Sequence, residues 1–401
     1  MADRYYFPED FLWGTAISAH QTEGYNTNSD WWRWEENKAF DQKYPLEPSG
    51  EACDFYSRFD EDFRLANHYN QNAIRLSVEW ARIEPRPGQF DQEEINHYRS
   101  VLIAAHEHGL KTFVTLHHFT NPVWFADMGG WHSRKSIPAF VSYAKKCAEF
   151  FSDLSDAFIT INEPQVYALQ SYTNGMWPPN KINPFQSYLV QFNMIQAHRQ
   201  AYDELKKIID VPVGIAKNIV WYETDPYRSN IIDRTAARIL NYLNDDFYIW
   251  PLVGKLDFLG LNYYFTNRVR NLRFDNPTDY VSDMGWWINP GGLGNILQKL
   301  KKYNVPLYIT ENGLADAEDK YRAHFIRDML IACGQAVLSG VDLRGYFHWS
   351  LMDNYEWHQG FWPRFGLVEI DRVDNLKRKP RRSFEYYAKV CQNGIVEVDD
   401  N

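Results

Sequence analysis

Cysteine is scarce in this chain. Only Cys53, Cys147, Cys333 and Cys391 occur among 401 residues, and they are widely scattered. No CxxC pair and no Cys/His cluster has metal-ligand spacing, so neither a structural zinc site nor a disulfide framework is expected. The four read as free thiols of a reducing compartment. Long apolar runs are missing as well. No stretch of about 18 apolar residues is present to span a bilayer, and Met1-Ala2-Asp3-Arg4-Tyr5 lacks the basic and apolar regions of a secretory leader. The expected location is cytoplasmic. Positive charge is in deficit: the formal net charge is −10, which argues against nucleic acid and anionic membrane surfaces as partners. No Gly/Ser-rich linker or low-complexity segment divides the sequence, so one catalytic domain is expected over residues 1–401. No GxGxxG follows a strand and no Walker motif occurs. Gly291-Gly292-Leu293-Gly294 has no strand before it and reads as loop geometry ahead of a helix. No metal or other cofactor is called for.

Aromatic residues, by contrast, are abundant. They make up 16% of the chain, with 15 Trp and 26 Tyr. Flat amphipathic rings suit sugar faces, although large cores also consume them. The chain is organised around Tyr308-Ile309-Thr310-Glu311-Asn312-Gly313, where an apolar run ends in a carboxylate followed by a turn dipeptide. Such runs read as buried strands. Ala157-Phe158-Ile159-Thr160-Ile161-Asn162-Glu163-Pro164 has the same form. A charge at a strand end is costly to bury unless it is paired or used. Two such carboxylates facing one cavity are what glycoside hydrolysis needs, one as proton donor and one as nucleophile or base.

Six further short apolar runs occur near residues 11–16, 73–77, 112–117, 213–217, 258–264 and 343–349, alternating with helical patterns. Asp91 to His108 reads as a helix opened by a capping-box-like Asp91-Gln92-Glu93-Glu94 and closed by Gly109. Another helix runs from about Asp319 to Leu338. Eight strands alternating with helices predict parallel βαβ units closed into a single (β/α)8 barrel, with the active face at the strand C-termini. The unusual polar residues cluster at those ends. Arg75 lies inside the second strand and asks for a partner. Together with Tyr264 it would favour an ionised Glu311, whereas apolar walls and the Glu311 charge would raise the pKa of Glu163. Asn162 can hydrogen-bond a sugar 2-hydroxyl. Gln21, His118, Glu356 and Trp357 would read hydroxyls, and Trp349 offers a stacking face.

These stretches resemble glycoside hydrolase family 1, the β-glucosidases and β-galactosidases. The similarity runs from Phe11-Leu12-Trp13-Gly14 to Arg381-Arg382-Ser383. It rests on the N-terminal signature through Gln21-Thr22-Glu23-Gly24, on Thr160-Ile161-Asn162-Glu163-Pro164, on Ile309-Thr310-Glu311-Asn312-Gly313, and on Trp349-Ser350-Leu351-Met352-Asp353-Asn354-Tyr355-Glu356-Trp357 closing with Arg364-Phe365-Gly366-Leu367. The resemblance implies a retaining double displacement, with Glu163 as acid/base and Glu311 as nucleophile. It implies that Gln21, His118, Asn162, Glu356 and Trp357 hold the non-reducing-end sugar and that Trp286 lies on the aglycone side. Asn262, Trp349 and Phe365 complete the candidate substrate-binding set. The expected substrates are small β-glycosides or short oligosaccharides, chiefly β-D-glucosides with β-D-galactosides and fucosides.

The chain also departs from the family pattern. It is trimmed between strands four and seven and has a short loop after Glu311, which implies a more open aglycone side. Thr120-Asn121-Pro122 stands where Asp-Leu-Pro is common, and Phe361-Trp362-Pro363 replaces a more polar stretch. With Glu356 kept and Pro363 at the position that needs lysine, a 6-phosphosugar is not expected. An endo-acting retaining barrel glycosidase and a non-catalytic sugar-binding barrel are the alternative readings.

Overall fold

The computed structural model describes residues 4–39 and 47–398. Eight parallel strands close into a barrel: β1 (Leu12–Ala16), β2 (Ala73–Ser77), β3 (Lys111–Thr115), β4 (Ala157–Asn162), β5 (Val213–Asn218), β6 (Phe258–Asn262), β7 (Leu307–Asn312) and β8 (Leu343–Trp349). The hydrogen-bonded order follows the chain, and β8 pairs with β1 to complete the circle. A main helix follows each strand: α1 (Phe55–His68), α2 (Gln92–Glu107), α3 (Ser136–Phe151), α4 (Pro184–Leu205), α5 (Ile231–Asn241), α6 (Pro290–Leu300), α7 (Arg322–Leu338) and α8 (Arg382–Asn393). Arg4–Tyr6 pairs antiparallel with Ile395–Glu397. Among the described residues no helix is long and apolar enough to cross a membrane.

Strand alternation divides the core in two. Ile74 and Leu76 of β2 point outward and join the large cluster packed under the helices. Ala73 points inward, together with Phe113, Ala157, Phe258 and Phe347. Phe113 meets Tyr308 and Phe347 with ring centroids 5.0 Å apart in both cases. These rings fill the lower barrel and separate the cavity above them from a recess of about 200 Å³ at the opposite mouth, beside Leu12, Lys111 and Arg344.

The regular ladder is interrupted on two strands. Register shifts fall between Ile159 and Asn162 on β4, and between Ile309 and Glu311 on β7. Thr160 bonds outward to His198 of α4 and Ile161 packs in the outer core, while Asn162 turns into the barrel. Irregular pairing of this kind re-aims side chains next to active sites. It falls here on the strands that end in Glu163 and Glu311.

Several helix boundaries follow from their caps. The Asp91 carboxylate accepts the Glu93 and Glu94 amides, which forms half of the expected capping box. The other half is missing because the Asp91 amide donates to the Ile83 carbonyl at 2.9 Å, and the Glu94 carboxylate accepts the Tyr56 hydroxyl instead. α7 starts at Arg322, later than expected. Asp319 has a φ of +55° and lies outside the helix, and Asp316 accepts the Tyr321 and Arg322 amides in its place. The reading of Gly291-Gly292-Leu293-Gly294 as a loop is corrected: these residues form the first turns of α6, capped by Asn289, with Pro290 as the first helical residue. A Cβ on Gly292 would collide with Thr266 and Tyr263, so this helix can approach the barrel only through glycine.

Candidate functional site

Glu163 immediately follows β4, and Glu311 is the penultimate residue of β7. Both open onto one cavity of about 360 Å³. Ten of the residues expected from the sequence line it: Gln21, His118, Glu163, Tyr264, Trp286, Glu311, Trp349, Glu356, Trp357 and Phe365. Arg75, Asn162 and Asn262 form its hydrogen-bonded floor instead. A wider recess of about 460 Å³ beside Asp30, Arg33 and Lys181 receives neither glutamate.

The floor is one connected network. Arg75 Nη1 donates to Glu311 Oε1 at 2.6 Å and to the Thr310 carbonyl at 3.1 Å. Arg75 Nη2 donates to Asn162 Oδ1 at 2.7 Å, and Nε donates to Thr115 Oγ1 at 3.2 Å. The second Glu311 oxygen accepts the Tyr264 hydroxyl at 2.6 Å. Burial and the Glu311 charge hold the Tyr264 phenol well above its ordinary pKa, so it remains a donor. Asn262 Nδ2 donates to Glu163 Oε1 at 2.7 Å, while its own Oδ1 accepts from Thr310 Oγ1 at 2.6 Å.

This wiring also fixes a tautomer. The Asn162 oxygen is taken by Arg75 and Asn262, so its amide nitrogen faces His118 Nε2 at 3.2 Å. Burial, with the Arg75 charge, holds the His118 pKa well below its ordinary value, so the ring is neutral. Nε2 therefore accepts and Nδ1 carries the proton.

The two glutamates have unequal surroundings. Burial pushes the pKa of Glu163 up, with the Glu311 charge adding to the rise, to about 8. Glu163 forms no ion pair with an arginine among the described residues, and the more distant Arg75 charge only partly offsets the rise. Burial raises Glu311 as well, against the opposing pull of Arg75 and Tyr264. Arg75 and Tyr264 favour the charged form as expected, and the cost of desolvation opposes them. With the guanidinium bound directly to Glu311, the negative charge that the pair can hold rests there and the proton rests on Glu163. Glu356 is a third carboxyl, raised to about 8 by burial and by the charges of Glu311 and Glu163.

One wall of the cavity is built from loops after β1, β3 and β8. Gln21 accepts from Ser18 Oγ at 2.7 Å and donates to the Tyr355 carbonyl at 2.8 Å and to Glu356 Oε2 at 3.4 Å. It therefore anchors the segment that carries Glu356 and Trp357. His118 lies nearly parallel to Trp349 (5.9 Å, 21°) and to Trp357 (6.1 Å, 17°). Glu163, Phe119 and Trp357 have φ values of +43°, +75° and +52°, a left-handed conformation that is strained for side chains of this size and concentrates at functional sites. Gly313 is required by packing: a Cβ there would collide with the Trp349 carbonyl. On the far side, Trp286 packs against Tyr264 and Phe365 at 5.7 and 6.1 Å. Phe361 turns away from the cavity and packs on Tyr355 and the Arg372 guanidinium.

Several lining residues were not anticipated. Asn218, the last residue of β5, hydrogen-bonds Glu163 through its side chain. The strand-end rule applied elsewhere would have found it. Trp177 sits in the long connection before α4 and packs on Phe119 and Trp357 at 4.9 and 5.5 Å. Nothing in the local pattern announces it.

The chain is similar to known proteins along most of its length. A family model described as Glycosyl hydrolase family 1 matches residues 3–254 and 237–395. The chain is 29% identical to β-glucosidase A of Thermotoga maritima, covering 98% of this chain and 99% of that one. It is 33% identical to the chloroplastic β-glucosidase-like SFR2 of Oryza sativa subsp. japonica over 87% of its own residues, and spans 57% of that longer protein. Among solved structures it is similar to the β-glycosidase from Pyrococcus horikoshii, with a TM-score of 0.89, 34% identity, and coverage of 98% of this chain and 96% of that one.

Proposed function

The chain belongs to glycosyl hydrolase family 1, and we propose that within it this protein is a retaining, exo-acting β-glycosidase that hydrolyses β-D-glucosides together with β-D-galactosides and fucosides. The observation that carries this reading is the inequality of the two facing glutamates: Glu311 is clamped by Arg75 and Tyr264, and Glu163 forms no ion pair among the described residues and holds its proton to about pH 8. Glu311 attacks the anomeric carbon while Glu163 gives its proton to the departing oxygen as the glycosidic bond breaks. A glycosyl ester on Glu311 results. Glu163, now ionised, takes a proton from water, the water oxygen attacks the same carbon, and the ester bond breaks to restore both carboxyls.

Retention is supported by Asn262. Its amide donates to Glu163, and it also lies close enough to Glu311 to favour that group's charged form. One amide serving both carboxyls suits the ~5–5.5 Å separation of a retaining pair better than the roughly 6.5–9.5 Å gap of inversion. Exo action is supported by Gln21, Glu356 and Trp357, which close one end of the cavity. The galacto- and fuco- part of the reading draws on the family resemblance alone. A cytoplasmic location goes with this proposal.

A panel of nitrophenyl glycosides tests the reading. β-Glucoside should be cleaved rapidly, and proton NMR should show the β-anomer of glucose as the first product. An α-anomer first would rule out retention, and turnover only on internal bonds of longer chains would rule out exo action. Tyr264→Phe removes one of the donors to Glu311. Losing a hydrogen bond to a charged group costs about 1.5–3 kcal/mol, so kcat/KM should fall roughly 10- to 100-fold with the fold intact. Unchanged kinetics in this variant would remove Tyr264 from the set.

A further inference from the structure

Helix α5 is built inside out. Its buried stripe is small and polar: Asp233, Ala237 and Asn241, continued by Asp245 in the following turn. These residues dock on neighbouring backbone and on a lysine. Asp233 accepts the Leu272 amide, Asn241 exchanges hydrogen bonds with Tyr222, and Asp245 pairs with Lys299. The apolar residues of the same segment face outward, among them Ile232, Ile239, Tyr242, Leu243, Phe247 and Trp250, the last 76% exposed. A second stripe lies opposite on α4, where Phe185, Tyr188 and Phe192 recur at helical spacing, Phe185 being 86% exposed. Between the two ridges runs a groove of about 280 Å³ lined by Leu169, Pro184, Tyr188, Leu243 and Phe247.

At roughly 100 Å² each, these nine side chains offer about 900 Å² of apolar surface. That exceeds the ~300–600 Å² patch of an ordinary monomer and matches the ~800 Å² that each partner buries in a standard interface. The composition fits as well: aromatics predominate, and α5 also exposes Arg234, which among the described residues bonds only to the nearby Ser229, and Arg238. The face also carries its own complement, since a projecting Trp250 and a groove of side-chain size lie on one surface. This is the requirement of a two-fold interface, in which the same patch serves both subunits. A bilayer needs no groove, and the net charge of −10 disfavours an anionic one.

We propose that this face binds a second copy of the chain as an isologous dimer, with the projecting side chains of each copy, Trp250 foremost, seated in the groove of the other. Leu169 lines both the groove and the catalytic cavity, so the interface adjoins the active-site mouth.

Light scattering and sedimentation equilibrium on the full chain should give twice the chain mass at micromolar concentration. Phe185→Glu and Phe247→Glu, on different helices and both at exposed positions, should each give a monomer with unchanged near-ultraviolet circular dichroism and unchanged turnover of an aryl β-glucoside. Trp250→Ser is a milder probe of the same surface and should weaken the dimer at least tenfold. A wild-type protein that stays monomeric would overturn the proposal. So would a dimer indifferent to all three changes, or a monomer that co-sediments with phosphatidylglycerol vesicles.

Discussion

Glu311→Ala is expected to lose four to six orders of magnitude in kcat on aryl β-glucosides, the scale seen when a nucleophile that acts within a concerted set is removed. No other group stands in its place. Among the other oxygen-bearing groups at the floor, Tyr264 is held as a neutral phenol, the Asn162 amide oxygen is taken by Arg75 and Asn262, and the Asn262 amide oxygen is taken by Thr310. The substitution also strands the fully buried Arg75 charge, and breaking one side of a buried pair costs about 3–5 kcal/mol. A fall in thermal stability should therefore accompany the lost activity. Glu311→Gln separates the two effects: it keeps the volume and its single amide oxygen can still accept from Arg75, while its NH2 group faces the Tyr264 oxygen, but it forms no glycosyl ester. It should be as inactive as the alanine variant and closer to wild type in stability. Added azide should restore turnover in Glu311→Ala and yield the α-glycosyl azide, because the small anion attacks from the vacated face. Activity near wild type in either variant, or β-azide from the alanine variant, would remove Glu311 from the nucleophile role.

The barrel was legible because each of its strands is a short apolar run closed by a polar or turn residue, a pattern that survives without any knowledge of tertiary contacts. The site was legible for the same reason. Glu163, Glu311 and Asn262 occupy strand ends, Arg75 is a charge within a strand, and neither kind of position is free of cost. Helix α5 could not be read this way. Its core face is Asp233, Ala237 and Asn241, so a hydrophobic periodicity points at solvent, and only tertiary partners such as the Tyr222 backbone explain the polar stripe. The Gly291-Gly292 turn of α6 failed for a related reason: local propensity disfavours glycine in a helix, whereas contact with Thr266 and Tyr263 demands it. The register shifts that turn Asn162 and Glu311 into the cavity depend on the neighbouring strands and leave no local mark. The charge balance of Glu311 was only half visible. Its partners can be named from the sequence, but the burial that opposes them belongs to the assembled barrel.

Glu163→Gln should have an effect that depends on the leaving group. A general acid matters most when the departing oxygen is basic and least when it already leaves well. On cellobiose-like substrates the variant should lose several orders of magnitude, while glycosylation by dinitrophenyl glycosides should fall far less. Deglycosylation needs Glu163 again, as the base that activates water, so with activated substrates the variant should accumulate the ester on Glu311 and release dinitrophenol in a burst. Azide requires no base. It should relieve the block and give the β-glycosyl azide, the opposite anomer to that from Glu311→Ala. The pH profile supplies an independent readout. Wild-type glycosylation needs Glu163 protonated, and burial with the Glu311 charge holds that proton to about pH 8. The kcat/KM of wild type should therefore be maintained through neutrality and fall as pH rises through about 8. Glutamine has no proton to lose, so the variant should lack this limb while keeping any acid limb set by ionisation of Glu311. Equal losses on good and poor leaving groups, with no burst, no azide rescue and an unchanged basic limb, would show that Glu163 supports the cavity without transferring a proton.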